Sequence, residues 1–375
     1  MRISGNFDSG NIEVVNSESA LDIQLNFTAD NNSEFYQWFH FKMESTAGEE
    51  HKFRILNAKQ AAYPEGWEGY QAMASYDRET WFRIDTEYRD GELQFTHIPE
   101  FDHVFYAYFV PYSYERHLDL IHKSQLMPET QLITLGETLD GRDMSLLQIG
   151  QPAEGKMNVW ITARQHPGET MAEWYVEGLL DRLFDHDDAV SRLLMEKAVF
   201  YVVPNMNPDG AARGHLRTNA TGANLNREWL EPSMENSPEV FLVREKMLET
   251  GVDMYLDIHG DEAIPYNFVA GCEGIKGYDQ RHQSLENCFK AAYASATPEF
   301  QDKHGYPKDE PGKANPTVAA AWVGEQFKCL SYTVEMPFKD HNDAPDAFYG
   351  WNDVRSAKFG ADVLTAVLAV IDTLR

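Results

Sequence analysis

The sequence predicts an α/β domain with a mixed central sheet flanked by helices, preceded by an all-β sandwich. Three observations predict this. Up to about residue 110, short aromatic-rich segments alternate with period two between turn residues, and no convincing helical stretch interrupts them. From residue 131 onward, strand-like apolar runs alternate with segments of helical periodicity. The chain has 375 residues, long for one core and ample for two.

In the first part the expected strands are 12–15, 21–27, 35–43, 51–56, 80–85, 92–98 and 103–110. Breaks such as Asp30-Asn31-Asn32 and Asp90-Gly91 separate them. Seven or so short strands of this kind make a sandwich. The expected organisation is a sandwich over residues 1–115, a linker over 116–130 that begins helical and is broken by Pro128, and an α/β domain over 131–375.

In the second part the expected strands are 131–135, 144–149, 157–163, 198–203, 253–258, 266–269 and 329–334. Residues 169–184 place Val176, Leu179, Leu180, Leu183 and Phe184 on one helical stripe. Residues 357–374 repeat the pattern with Val363, Leu364, Val367, Leu368, Ile371 and Leu374. Both stripes read as core.

Composition excludes some functions. A formal charge of −28 without clustered Lys or Arg argues against nucleic acid as a partner. No apolar run reaches the length of a membrane span, and the N-terminus lacks the charged and apolar regions of a signal peptide. The three cysteines, Cys272, Cys288 and Cys329, are odd in number and lack C-x-x-C spacing, so they are expected to be reduced, buried thiols. A cytoplasmic protein that does not engage membranes is the expectation; oligomeric state is not legible.

Three H-x-x-E pairs occur, His97/Glu100, His166/Glu169 and His259/Glu262, and the motif alone does not rank them. The strand-end rule does: in open α/β sheets, ligands bind beyond the carboxyl ends of the strands. His166 follows the strand 157–163, His259 closes 253–258, Glu335 closes 329–334, and Asn205 to Asp209 follow 198–203. A hydrolytic zinc needs three protein ligands and an open position. His166, Glu169 and His259 would supply the ligands. Glu335, the remaining strand-end carboxylate in apolar surroundings, is the candidate general base. Glu262 drops out as a chance partner, and His97/Glu100, interrupted by Pro99, reads as a strand exit.

Residues 207–229 read as a long loop with turn signals at Pro208-Asp209-Gly210 and Thr221-Gly222. It carries Arg213, Arg217 and Arg227. Guanidinium groups hold carboxylates or stabilise developing oxyanions, and Arg217 and Arg227 are the stronger candidates.

HPGE at 166–169, NPDG at 207–210, GANLNREW at 222–229, DIHG at 257–260 and TVE at 333–335, in this order, resemble the zinc metallocarboxypeptidases. The HPGE and LNR-x-W spellings look like their cytosolic carboxypeptidase branch, which also carries a β-sandwich ahead of a carboxypeptidase-like domain. The resemblance implies one zinc ion per chain on His166, Glu169 and His259. It implies Glu335 as the base that activates water and passes its proton to the leaving amine. By the same resemblance Arg217 polarises the scissile carbonyl, and Asn226 and Arg227 grip the terminal carboxylate of a peptide or protein. The family also presents a mobile-loop tyrosine. Tyr306 lies 29 residues before Glu335 and Tyr332 three before it, neither at the family's spacing, so that role stays unassigned.

The expected function is removal of the C-terminal residue of peptides or proteins by metal-activated water, with the branch's preference for acidic C-terminal residues. One rival is zinc-dependent hydrolysis of N-acyl amino acids or cell-wall isopeptides, which the same clamp suits. The other is a catalytically silent binding protein.

Overall fold

The computed structural model describes residues 1–375. The first part holds ten short strands: β1 (Arg2–Ser4), β2 (Glu13–Ser19), β3 (Asp22–Asn26), β4 (His40–Glu44), β5 (His51–Ile55), β6 (Met73–Ser75), β7 (Phe82–Arg83), β8 (Thr86–Arg89), β9 (Glu92–His97) and β10 (His103–Ala107). They form two five-stranded sheets, ordered β1-β4-β10-β6-β7 and β2-β3-β5-β9-β8. Alternation drives the two sheets together. Phe41 and Tyr106 of the first sheet meet Phe53 and Phe95 of the second, with ring centroids 5.0 to 5.9 Å apart. The run expected as a strand at 35–43 is extended into a ladder only from His40, because residues 35–39 turn their backbone toward neighbouring loops. His97 bonds the Tyr76 and Tyr106 hydroxyls inside this sandwich, far in role from any ligand set.

After α1 (Tyr114–Ser124), capped by Ser113, seven strands build one mixed sheet: β11 (Thr130–Glu137), β12 (Asp143–Ile149), β13 (Met157–Ala163), β14 (Ala198–Val203), β15 (Met254–Asp261), β16 (Phe268–Ala270) and β17 (Leu330–Pro337). Their order is β11-β12-β14-β13-β15-β17-β16. The four central strands β14, β13, β15 and β17 run parallel, and the flanking pairs are antiparallel. Such a centre must be covered on both faces, which explains its near-continuous burial. α2 (Met171–Leu183) and α8 (Asp353–Val370) cover one face, and α5 (Pro238–Thr250) and α7 (Ala319–Phe327) the other. Gly178 and Gly360 let α2 and α8 touch: a β-carbon on either would lie 1.9 Å from a backbone oxygen of the other helix. The last helix starts at Asp353, four residues before the expected start at 357, because Asn352 caps it.

One hydrophobic core runs from the sandwich into the α/β sheet. Tyr108 of the sandwich stacks on Phe338 just past β17, and Arg83 donates to the carbonyls of Phe338 and Trp351. No helix is long and apolar enough to cross a membrane. No disulfide links the three cysteines; Cys272 and Cys329 are buried, but Cys288 is exposed on α6 (Gln280–Ala296), which corrects the expectation of three buried thiols.

α5 carries a pH-sensitive feature. Glu239, in its first turn, is fully buried with only Asn219 and backbone amide support, and burial raises its carboxyl to about 7. Unfolded, it titrates near its ordinary 4.5. The folded state therefore prefers the protonated form, and stability falls as pH rises from 4.5 to 7. Glu239→Gln is expected to remove this slope and stabilise the protein at pH 8 by about 3 kcal/mol, with little change at pH 4.5. Urea denaturation at the two pH values checks it.

Candidate metal and active site

The strand β13 ends in a turn whose first residue, Arg164, takes a left-handed backbone (φ 57°). Strain of this kind persists only where the surroundings fix it. Here they do: the buried Arg164 guanidinium donates to the carbonyls of Pro167 and Tyr112, each at 2.9 Å, and pairs with Glu173. Glu173 is held in turn by Asn205 and His117, both at 2.9 Å. Gly168 is needed for close approach, since a β-carbon there would sit 2.9 Å from the carbonyl oxygen of Leu216.

This turn and the end of β15 bring three buried side chains to one point. His166 Nδ1 lies 2.6 Å from Glu169 Oε1, His259 Nδ1 lies 2.7 Å from Glu169 Oε2, and the two Nδ1 atoms are 3.2 Å apart. The outer nitrogens are occupied. His166 Nε2 donates to Asn224 Oδ1 at 3.1 Å, and His259 Nε2 faces Asp257 Oδ2 at 2.9 Å. These partners fix each ring with Nδ1 turned inward, the arrangement by which outer contacts orient metal-binding imidazoles.

The electrostatics fit a cation at this point. Burial and the Arg217 guanidinium hold His166 at about 4, so its ring is neutral and its inward lone pair available. Burial would also lower His259, but Asp257 and Glu169 outweigh it and push that ring well above its ordinary value. Glu169 stays ionised against its burial because both imidazoles face it. Two imidazole nitrogens and a carboxylate, buried and convergent, form the His₂Glu donor set that suits zinc.

Glu335 on β17 stands in register with His259 on β15. Burial raises its carboxyl well above the carboxylate range, with Glu169, Asp261 and Glu262 adding to the effect against His259. Its Oε2 is buried and meets no protein donor. Its Oε1 lies 3.2 Å from the Tyr306 hydroxyl, which donates to Asp261 Oδ2 at 2.7 Å. The surroundings are thus more acidic than the apolar neighbours in sequence led one to expect.

The stretch 207–229 is less of a loop than its turn signals imply: α4 (Pro208–Arg213) and a 3₁₀ turn at Leu225–Arg227 occupy both ends. Arg213 is bonded to both carboxylate oxygens of Asp140 at 2.8 and 2.7 Å, so it faces away from the site. Arg217 and Arg227 face in. Neither forms a salt bridge, and Arg227's acidity is raised by burial and by the nearby charge of Arg217. Asn226 accepts from the backbone of Ala319 at 2.8 Å, and its amide nitrogen lies 3.5 Å from His259 Nε2.

A cavity of about 690 Å³ is lined by all seven residues singled out in the sequence: His166, Glu169, Arg217, Asn226, Arg227, His259 and Glu335. It is also lined by Tyr306, Glu262 and, from the sandwich, Tyr63. Sequence reasoning dismissed Glu262, yet it is buried on the cavity wall with its carboxyl raised well above the usual range by burial and by Glu169. It also missed Asp257 and Asn224. Asp257 was accessible in principle, since residues two apart on a strand share a face; Asn224 lay within the quoted GANLNREW.

Asp257 also accepts from Thr162 at 2.9 Å and Gln165 at 2.6 Å. Removing it frees His259 to rotate. Asp257→Ala is expected to weaken zinc binding by at least about 10-fold, read by competition with a chromophoric chelator. Unchanged affinity would mean that Asp257 does not orient the ring.

A His/Glu/His cluster beside a buried carboxylate, at the strand ends of a mixed sheet, defines a metallohydrolase. The comparisons narrow this class. Residues 118–351 match the zinc carboxypeptidase family, and residues 3–109 match the cytosolic carboxypeptidase N-terminal domain. The chain belongs to the zinc carboxypeptidase family and is a metallocarboxypeptidase. It is 48% identical over 374 residues to an uncharacterised protein of Zymomonas mobilis, covering 100% of this chain and 97% of the other. It is 30% identical to mouse cytosolic carboxypeptidase 6 over 71% of this chain, but spans only 54% of that protein; for human cytosolic carboxypeptidase 4 the figures are 28%, 72% and 29%. Among solved structures, it superposes with a TM-score of 0.98 on a metallo-carboxypeptidase from Pseudomonas aeruginosa in complex with (2-guanidinoethylmercapto)succinic acid, at 47% identity over 100% of both chains. A metallo-carboxypeptidase from Burkholderia cenocepacia matches with a TM-score of 0.96 at 47% identity, over 99% of each chain.

Proposed function

We propose that this chain hydrolyses the C-terminal residue of peptides or proteins, with one zinc ion held by His166, Glu169 and His259. The observation that carries this reading is charge left unspent. In a protein of net charge −28, Arg217 and Arg227 share the cavity with the metal-ligand cluster, and neither has a carboxylate partner. Two guanidinium groups that repel each other across a cleft are stabilised by an anion between them, and a peptide's terminal carboxylate is such an anion.

When bound, zinc supplies Lewis acidity toward a carbonyl and makes water more acidic. The protein's residues do the rest. Glu335, through its unpartnered Oε2, takes the proton of the attacking water and delivers it to the leaving amine. Arg217 donates to the oxygen on which charge develops, in a cleft where fixed donors act more strongly than in water. Asn226 and Arg227 hold the terminal carboxylate and so restrict cleavage to chain ends. Tyr306, whose hydroxyl lies 3.2 Å from Glu335, closes that side of the cleft.

For the acidic C-terminal preference the supporting residue is Lys303. Of the three lysines on the cavity wall, Lys290 pairs with Glu286 and Asp302, and Lys308 with Glu273, whereas Lys303 has no carboxylate partner. The ligand of the Pseudomonas relative joins a succinate to a guanidinium, so the test must span both charges. A C-terminal residue scan on short peptides with zinc-loaded protein, with matched C-terminal amides, N-acyl amino acids and cell-wall isopeptides alongside, separates the readings. Cleavage of free-acid peptides that stops on chelation supports the proposal. Turnover confined to the acyl or isopeptide substrates, or none at all, overturns it. Three cysteines without a disulfide fit a reducing cytoplasm.

A further inference from the structure

We infer that the N-terminal sandwich is part of the active centre, because its loop around Asp30, with the rings of Phe35 and Tyr63, positions the Arg217 guanidinium. This rests on the reading of Arg217 as the group that faces the scissile carbonyl.

The segment that carries Arg217 has little regular structure of its own; a carboxylate from the sandwich organises it. Asp30 is buried, and its two oxygens accept from the backbone of Leu216 at 2.6 Å, Arg217 at 2.8 Å and Thr218 at 2.9 Å, and from the Thr218 hydroxyl at 3.0 Å. Three successive amides converging on one carboxylate fix the backbone at Arg217 as a helix N-terminus fixes an anion, with the roles of protein and ligand exchanged. Neighbouring contacts repeat the clamp on both sides. Asn31 donates its backbone N–H to His215 Nε2 at 3.1 Å, and Asn11 donates to the carbonyl of Gly214 at 2.8 Å. Gly222 lies so close that a β-carbon on it would come within 2.6 Å of the Asn32 carbonyl oxygen, at a backbone φ of +93°.

The side chain is held by the same domain. The guanidinium carbon of Arg217 lies 5.6 Å from the Phe35 ring centre and 5.3 Å from that of Tyr63. The backbone that carries each ring is anchored. The Asp30 N–H closes the loop onto the Phe35 carbonyl at 2.9 Å, while buried Gln37 grips Tyr63 by its N–H at 2.8 Å and its carbonyl at 3.0 Å. Aromatic faces suit this task. They restrain a long, rotamer-rich guanidinium side chain without consuming its N–H donors or neutralising its charge. A carboxylate partner would restrain it equally and take the donors that the substrate oxygen needs.

The test is a double-mutant cycle on the full chain loaded with zinc, read as kcat, KM for a free-acid peptide and bound zinc. Asp30→Asn keeps the shape but sets an amide N–H against the amides it must accept. It is expected to lower kcat about tenfold, because small displacements of a positioned group are costly, with KM and zinc content close to the parent's. In an Arg217→Ala background the same change is expected to alter kcat less than about twofold, since positioning has no effect once the positioned group is gone. Tyr63→Leu should behave likewise and stands in if Asp30→Asn does not accumulate as folded protein, and Tyr63→Phe, which keeps the ring, should retain more of kcat than Tyr63→Leu. Losses that add in the Arg217→Ala background, that follow zinc content, or that are absent overturn the positioning role. An Arg217→Ala enzyme with parental kcat instead overturns the reading of Arg217 itself.

Discussion

Glu335→Gln is expected to lower kcat by about 10²- to 10⁴-fold, the range that a positioned proton-transfer group contributes. Zinc content should equal the parent's, because Glu335 is outside the His166/Glu169/His259 donor set. KM should stay within a few-fold, since the proposed reading gives the substrate's carboxylate to Arg227 and Asn226 rather than to Glu335. The substitution is close to isosteric and keeps the side chain's volume in its buried site, so the variant should fold with nearly the parent's stability. The amide, however, cannot accept the water's proton. Stopped-flow turnover of a chromogenic peptide, with zinc measured on the same samples, reads both quantities. Near-parental kcat in a zinc-loaded Glu335→Gln protein would assign the base elsewhere, with Glu262 on the same cavity wall the next carboxyl to try.

How much of this was legible depends on where each residue sits. Residues at strand ends could be read, because an apolar run fixes the strand and the strand fixes which residue emerges at the crevice. His166, His259 and Glu335 are of this kind, and Glu169 follows from the turn. Glu262 could not be read, since it lies past the end of β15, where a chain that leaves the sheet shows no periodicity to say which way a side chain turns. Tyr306 lies in an irregular stretch between α6 and α7, where spacing from Glu335 carries no geometry. The strands at 144–149 and 157–163 were visible as apolar runs in a buried sheet, whereas the aromatic run at 35–39 misled because its rings pack against the core without a ladder. Cys288 misled for the opposite reason, as a residue on the outer side of a helix whose apolar neighbours face inward. Contacts between the two parts, above all Asp30 with residues 216–218, join positions about 190 apart, and no local pattern announces them.

Arg227→Ala is expected to lower kcat/KM on free-acid peptides by about 10²-fold, chiefly through KM. The expectation follows from what a guanidinium does to a carboxylate: each hydrogen bond to a charged group is worth about 1.5 to 3 kcal/mol, and a bidentate pair makes two. Arg217 remains in the variant and offsets part of the loss, which sets the estimate at the lower end. The 3₁₀ turn at Leu225–Arg227 is held by Asn224 and Asn226, so truncating Arg227 removes a side chain without unbuilding its support. Stability should change little: the side chain's one hydrogen bond within the protein goes to the neighbouring Asn226 carbonyl, and relieving its repulsion with Arg217 acts in favour of the fold. The decisive comparison is between a peptide and its C-terminal amide. The parent should discriminate strongly between them and Arg227→Ala weakly, because the amide lacks the charge that the clamp reads. Arg227→Lys should recover part of KM by restoring a point charge but not the planar pair of donors. If Arg227→Ala keeps the parent's KM and its preference for the free acid, the terminal carboxylate is held elsewhere in the cavity.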